Sequence, residues 1–259
     1  MCRWGTEMHF LPYLRTFLSL TMFGYAAWQD VKTREVHDLL WISFGGLGTI
    51  LIIYELITGS LVIIDLALSL AFSILFTGMV LYLELLGEAD LLALITLSIL
   101  HPSYPELMNP VGVRGVIYPF SVLSNSVLIG ASEAILLFIR NISKRRVWNF
   151  ILKEESSIPL YKRLIVVFVG INTRMDSLVG PPFQYPLEVL DDKGKKSLIL
   201  RPDFNDDEKA REILKQLNDE GYNYAWVSYT LPFLAVMLLG YLSTIFLGDI
   251  IFTLISMVI

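Results

Sequence analysis

Residues 39–83 read LLWISFGGLGTILIIYELITGSLVIIDLALSLAFSILFTGMVLYL. Two apolar runs, Leu39–Thr58 and Leu61–Leu83, meet at Gly59-Ser60. Each has the roughly 20 residues that a helix needs to cross a bilayer. The Gly-Ser break between them is a turn rather than a domain boundary. Working outward, the same reading finds runs of similar kind at Phe10–Trp28, Val116–Ile139 and Leu231–Ile255. A shorter run, Leu91–Leu100, begins after Gly87–Asp90 and ends at His101-Pro102. The pattern predicts an all-α polytopic membrane protein of about six transmembrane helices.

Composition agrees. Hydrophobic residues make up 54% of the 259 and charged residues only 17%, against roughly 25% charged in an ordinary soluble domain. The net charge of −5 hides an uneven distribution: of the 20 Lys and Arg, 15 fall between Arg140 and Lys215. That stretch reads as a water-facing insert between helices five and six. The expected domains are 1–139 (helices one to five), 140–228 (the insert) and 229–259 (helix six).

Loop charge orients the spans. Asp30–Asp38 contains Lys32 and Arg34, and the loop after Ile139 holds the 15 basic residues, whereas Gly59-Ser60 has none and His101–Gly115 only Arg114. Alternating six spans puts both basic loops on the cytoplasmic side, with the N- and C-termini outside. The turn Glu84–Asp90 then also faces inward. Nothing at the N-terminus reads as a cleaved signal peptide.

In the insert, Lys144–Lys153 mixes basic and bulky apolar residues like an interfacial helix on an anionic leaflet. Leu164–Val169 is β-branched and is expected to be a strand. Gln184–Leu190 and Ser197–Arg201 flank Asp191-Asp192-Lys193-Gly194, a hairpin turn signal. Asn205 or Asp206 caps a helix running to Asp219, with Gly221 as its stop. The insert is therefore expected to be a small α+β domain.

Several chemistries lack their residues. A single cysteine, Cys2, permits neither an internal disulfide nor a multi-cysteine zinc site. His9, His37 and His101 form no HExxH pattern, and no GxSxG elbow, phosphate loop or nucleic-acid motif is present. No metal or other cofactor is expected. Among charged residues in or near spans, Arg15 and Asp65 sit near outer span ends and are expected to snorkel. Glu55 is expected to be interfacial. Glu133 with Ser124, Asn125, Ser126 and Ser132 gives helix five a polar, small-residue stripe of the kind that packs helices.

Two aspartates remain. Asp30 follows Ala26-Ala27-Trp28 at the end of span one, where the helix dipole is unfavourable to a carboxylate. Asp90 closes Gly87-Glu88-Ala89-Asp90 before span four, a position that an N-cap would also explain. Both fall on one membrane face. Two carboxylates sharing a water cannot both ionise easily, so one pKa rises. Such a pair hydrolyses peptides without a covalent intermediate.

At these residues the chain resembles the type IV prepilin peptidase family, in its archaeal preflagellin and prepilin peptidase branch. The resemblance is carried by Asp30-Val31-Lys32-Thr33-Arg34-Glu35-Val36-His37-Asp38-Leu39-Leu40-Trp41 and by Gly87-Glu88-Ala89-Asp90. In that family one aspartate ends the first helix and a second closes a G-x-G-D motif; Asp30 and Asp90 match the two catalytic positions, and Asp38 a further acidic one. Ala89 stands where the motif has its second glycine, so the turn must accept φ < 0 there. The resemblance covers roughly Phe10–Leu100. Bacterial relatives with a cysteine-rich insert, and presenilin-like relatives with Tyr-Asp and Pro-Ala-Leu motifs, match less well.

The resemblance implies an aspartic endopeptidase that works without a cofactor. It would cut the short basic leader (class III signal peptide) from archaellin- or pilin-like precursors at the cytoplasmic membrane face. Glu35, Asp38, Glu84 and Glu88 flank the site and would attract such a leader. The competing reading is a proton-coupled transporter using intramembrane carboxylates; no inverted repeat or matching broken helices support it. A non-enzymatic assembly factor is a third. The expected partners are the precursors and the lipid bilayer, not nucleic acid, and the sequence carries no signature of oligomeric state.

Overall fold

A computed structural model describes residues 4–83, 87–105, 110–152, 158–191, 194–204 and 206–258. In chain order the helices are α1 (Trp4–Thr33), α2 (Leu39–Thr58), α3 (Ile63–Leu83), α4 (Glu88–Leu100), α5 (Tyr118–Ile142), α6 (Arg145–Ile151) and α7 (Leu160–Val169). Strands β1 (Gly170–Arg174), β2 (Gln184–Pro186), β3 (Glu188–Leu190) and β4 (Lys196–Leu198) follow. Then come α8 (Asp207–Asp219), β5 (Tyr224–Tyr229), α9 (Phe233–Leu247) and α10 (Ile250–Val258). The chain divides into two compact units: Met1–Gly130 with Pro232–Ile259, and Ala131–Leu231.

In the first unit α4 is the hub, packing against α1, α2, α3 and α9. More than half of its 13 residues are buried: Leu91, Ala93, Leu94, Thr96, Leu97, Ser98 and Leu100. On α2, Gly48 lets the neighbour close in, because a Cβ there would lie 2.9 Å from Ile99 Cγ2. From α3, the Ser73 hydroxyl bonds that of Ser98. Met22, Phe23 and Ala26 of α1 join Leu94, Leu97, Leu234, Met237 and Tyr241 in the largest core cluster.

Three helices, α2, α3 and α5, are long and apolar enough to cross a membrane. The pair α9 and α10, bent by 45° at Gly248-Asp249, adds a fourth if it is one span. These apolar helices make the chain a membrane protein, mostly helical with a small strand-containing region. Two of the six expected spans, α1 and α4, lie outside that set. At 13 residues α4 rises only about 20 Å.

Charges inside this unit depart from the expectation in one respect. Arg15 does not snorkel; it is buried and pairs with Glu55, Nη2 to Oε2 at 2.7 Å. It also donates to the carbonyls of Ile99 and Leu100. Those carbonyls form the negative end of α4, which draws the guanidinium inward. Asp65 does lie at a helix end, in the first turn of α3. Part of the polar stripe on α5 serves packing: Asn125 donates to Thr244 Oγ1 at 2.9 Å and to Gly248 O at 2.8 Å. Glu133 is exposed and stands apart from it.

The second unit is α+β. An antiparallel sheet runs in the order β1-β5-β2, and β3 pairs with β4 as a hairpin. The alternation of β5 sends Trp226 to a cluster with Val147, Ile151, Val166 and Val167 of α6 and α7. Ala225 and Val227 join Leu214 and Leu217 of α8 in another. Asp206 caps α8, accepting from Lys209 N–H at 2.9 Å, and Gly221 has φ 79 just past its end. Asn205, the other capping candidate, lies outside the described residues, as do Asp192 and Lys193 of the hairpin turn.

Two strand expectations need correction. Leu164–Val169 belongs to the helix α7, not to a strand. β-branched residues cost only a few tenths of a kcal/mol in a helix, and burial of Val166 and Val167 outweighs that. Gln184–Leu190 is two short strands: β2, ending at Pro186, joins β5, and β3 turns to β4. Pro186 has no N–H, which suits the outer edge of the sheet.

The Arg15–Glu55 pair yields a first prediction. Arg15→Met leaves a carboxylate buried without its partner and lowers stability by about 3 kcal/mol. Adding Glu55→Met recovers part of the loss. Thermal unfolding in detergent measures both; strictly additive losses would show that the two residues do not couple.

Candidate active site

α1 does not stop at Trp28. It continues for another turn to Thr33, so Asp30 lies within the helix, on its buried side. A carboxylate near its own helix C-terminus faces the negative end of the dipole. The structure supplies the compensation from elsewhere. Asp30 Oδ2 accepts the backbone N–H of Leu234 at 3.0 Å. Leu234 lies in the first turn of α9, whose N-cap is Pro232. Asp30 thus sits at the positive end of a second helix, where orphan N–H groups await an acceptor.

Arg34 follows one turn later. Its Nη1 lies 3.7 Å from Asp30 Oδ1 and donates to the Asp30 carbonyl at 3.2 Å.

Asp90 enters from α4. It is the third helical residue, not the N-cap; Gly87 occupies the cap with φ −71, ψ 156. The Asp90 side chain reaches back to accept Gly87 N–H at 3.3 Å. This is one half of a capping box, since glycine has no side chain to return the bond. α1, which carries Asp30, and α4, which carries Asp90, are packed together.

The motif residues have simple roles in this geometry. Ala89 is inside α4, and Arg34 is the only described non-glycine residue with positive φ. The helical position explains the alanine: glycine there would cost about 1 kcal/mol. Glu88 opens α4 and is exposed, as are Gly87, Glu35 and Asp38. Asp38 is the N-cap residue of α2 without a side-chain cap bond. Glu84 lies outside the described residues. Among the described residues, no group of three or more His, Cys, Asp or Glu is arranged to hold a metal ion.

Three groups had no such reading in the sequence: two partners of Asp30 and one buried acid elsewhere in the same unit. Arg34 was read as a topology anchor and as part of the stretch that carries the resemblance, not as a partner of Asp30, although its spacing of four was available as a signal. The Leu234 N–H has no side-chain signature; Pro232 before an apolar run marks only a helix start. Asp249 lay unread inside the last apolar run. It is fully buried, accepts from Ser121 Oγ at 2.7 Å and caps α10 through Phe252 N–H at 3.0 Å.

With the geometry described, comparison with known proteins adds two findings. Residues 162–250 match a family model described as Archaeal Peptidase A24 C-terminus Type II. This segment begins in α7 and ends at the start of α10, so it includes Leu234 but neither aspartate. Over 231 residues the chain is 27% identical to a preflagellin peptidase of Methanococcus voltae, covering 86% of this chain and 91% of the relative. These two similarities support a likeness to the archaeal preflagellin peptidases and a protease activity for the chain, the aspartic type being typical of that family.

Proposed function

We propose that Asp30 and Asp90 are the catalytic pair of a membrane aspartic endopeptidase that removes the short basic leader of archaellin- or pilin-like precursors. The observation that carries this is the placement of the two carboxyls on packed helices, Asp30 near the C-terminal end of α1 and Asp90 in the first turn of α4. One member ionised and one protonated at neutral pH is the condition for acid–base hydrolysis. The ionised carboxylate takes a proton from water as the water oxygen bonds to the scissile carbonyl carbon. The protonated carboxyl gives its hydrogen bond to the carbonyl oxygen. Collapse of the tetrahedral species breaks the C–N bond, and a proton from the pair goes to the leaving amine.

The substrate reading rests on the name of the Methanococcus voltae relative and on local charge. Exposed Glu35, Asp38 and Glu88, with Glu84 nearby in sequence, attract a basic leader to the mouth of the site. The arrangement is that of a six-span protein with both termini outside and the 140–228 insert in the cytoplasm. On it α1 and α4 count as spans and the α9–α10 pair as one bent span. The asymmetry of loop charge supports this orientation.

Three measurements test the proposal. Purified protein in detergent should shorten a precursor bearing a basic leader. Asp30→Asn and Asp90→Asn should each reduce that cleavage on the order of 10³-fold while membrane insertion is unchanged. Substantial cleavage by either variant removes that residue from the pair.

Orientation is tested by labelling single cysteines at positions 60 and 197 in a Cys2→Ser background. Reagent added outside should reach position 60 and not position 197, and equal labelling would overturn the topology.

A further inference from the structure

Arg34 occupies a position that ordinary helix chemistry gives to glycine. It ends α1 with φ 62, in the left-handed region, where a side chain is strained and glycine is not. The backbone needs only an N–H there: Arg34 N donates to Asp30 O at 3.1 Å, the closing bond of a left-handed helix cap. The side chain contributes something else. From the strained position the guanidinium turns back along the helix, reaching the Asp30 carbonyl and lying 3.7 Å from its carboxylate. Both side chains are largely buried, at 16% and 12% exposed, so water screens this pair weakly.

The surroundings of the two acids are unequal. α9 presents the Leu234 N–H to Asp30 and carries no Asp, Glu, Lys, Arg or His. α4 presents Asp90, whose charge opposes that of Asp30, while Glu88 is exposed. α2 has one charged residue, Glu55, at its far end, paired with Arg15. On α1, the Lys32 ammonium lies over the Trp28 ring, 5.0 Å from its centre. Arg34 is thus the cation set against Asp30, and Asp90 is held by the neutral Gly87 N–H.

We propose that Arg34 is a positioning residue: its guanidinium keeps Asp30 the ionised member of the pair, so that Asp30 takes the water proton and Asp90 holds the proton at the scissile carbonyl. The assignment rests on the dyad reading above. It explains why a helix end suited to glycine carries an arginine, at the expense of backbone strain next to the site.

The test uses the full chain in detergent and a precursor with a basic leader. Arg34→Gly removes the cation and relieves the strain, and Arg34→Asn, which also tolerates left-handed backbone, is the second variant. In both, relief of the strained backbone offsets part of what loss of the buried ion pair costs, so the variants should remain folded. The acid limb of the kcat/KM profile should move up by about one pH unit, a loss of about tenfold on that side. Arg34→Lys, which keeps a cation, should fall between these and the unaltered protein. An acid limb that does not move in a folded Arg34→Gly or Arg34→Asn variant overturns the proposal, as does an equal loss at every pH. Asp30→Asn and Asp90→Asn run beside them separate the two levels. If both are inactive and the limb stays put, only the role of Arg34 fails; if either still cleaves, the dyad fails and the role of Arg34 with it.

Discussion

The bond from Leu234 N–H to the Asp30 carboxylate joins residues that are 204 positions apart. A buried carboxylate near the end of its own helix is doubly disfavoured, by desolvation and by the local dipole. The start of α9 removes part of that penalty by offering an N–H that needs an acceptor. α1 and α9 are packed along each other, so the same contact sets the depth of both. α4 then fits between α1, α2, α3 and α9, and its N-terminus brings Asp90 under the influence of Asp30. The proposed acid pair would be a product of helix ends meeting, not of one motif.

How much of this was legible in the sequence follows from which interactions are local. Apolar length gave α2, α3 and α5 almost to the residue, because a long unbroken run admits few other structures. The capping of α8 by Asp206 and the turn before β4 were also visible, being set by side chains a few positions apart. Leu164–Val169 misled because β-branching is a weak preference and burial against Trp226 a strong one. The strand Tyr224–Tyr229, the centre of the sheet, carried no turn signal that singled it out. Arg15 was misjudged because its partners, Glu55 and the end of α4, are fixed only by tertiary packing.

The candidate site divides in the same way. Asp30 and Asp90 were legible as carboxylates at the ends of apolar runs, and the resemblance sharpened that reading. Their inequality was not legible, because it comes from Leu234 at the far end of the chain and from the backbone of Arg34. A left-handed arginine leaves no mark in one sequence. The family match over residues 162–250 is instructive here: it covers the donor to Asp30 while missing both acids, so it bears on the support of the site more than on its chemistry.

The shortness of α4 has a consequence for the lipid. On the six-span reading, a rod of 13 residues, about 20 Å long, stands where the hydrocarbon is about 30 Å thick. Among the described residues that follow it, 101–105 and 110–117 form no regular helix or strand. That segment is tied to the α9–α10 break by Val111 N–H to Phe246 O, Gly112 N–H to Leu247 O and Asp249 N–H to Val113 O. Irregular backbone at that depth is tolerable only inside protein, which is why a buried aspartate and glycine sit at the break. On that reading α4 is where a thick bilayer is mismatched, since the helix leaves about 10 Å of the hydrocarbon to the tied segment.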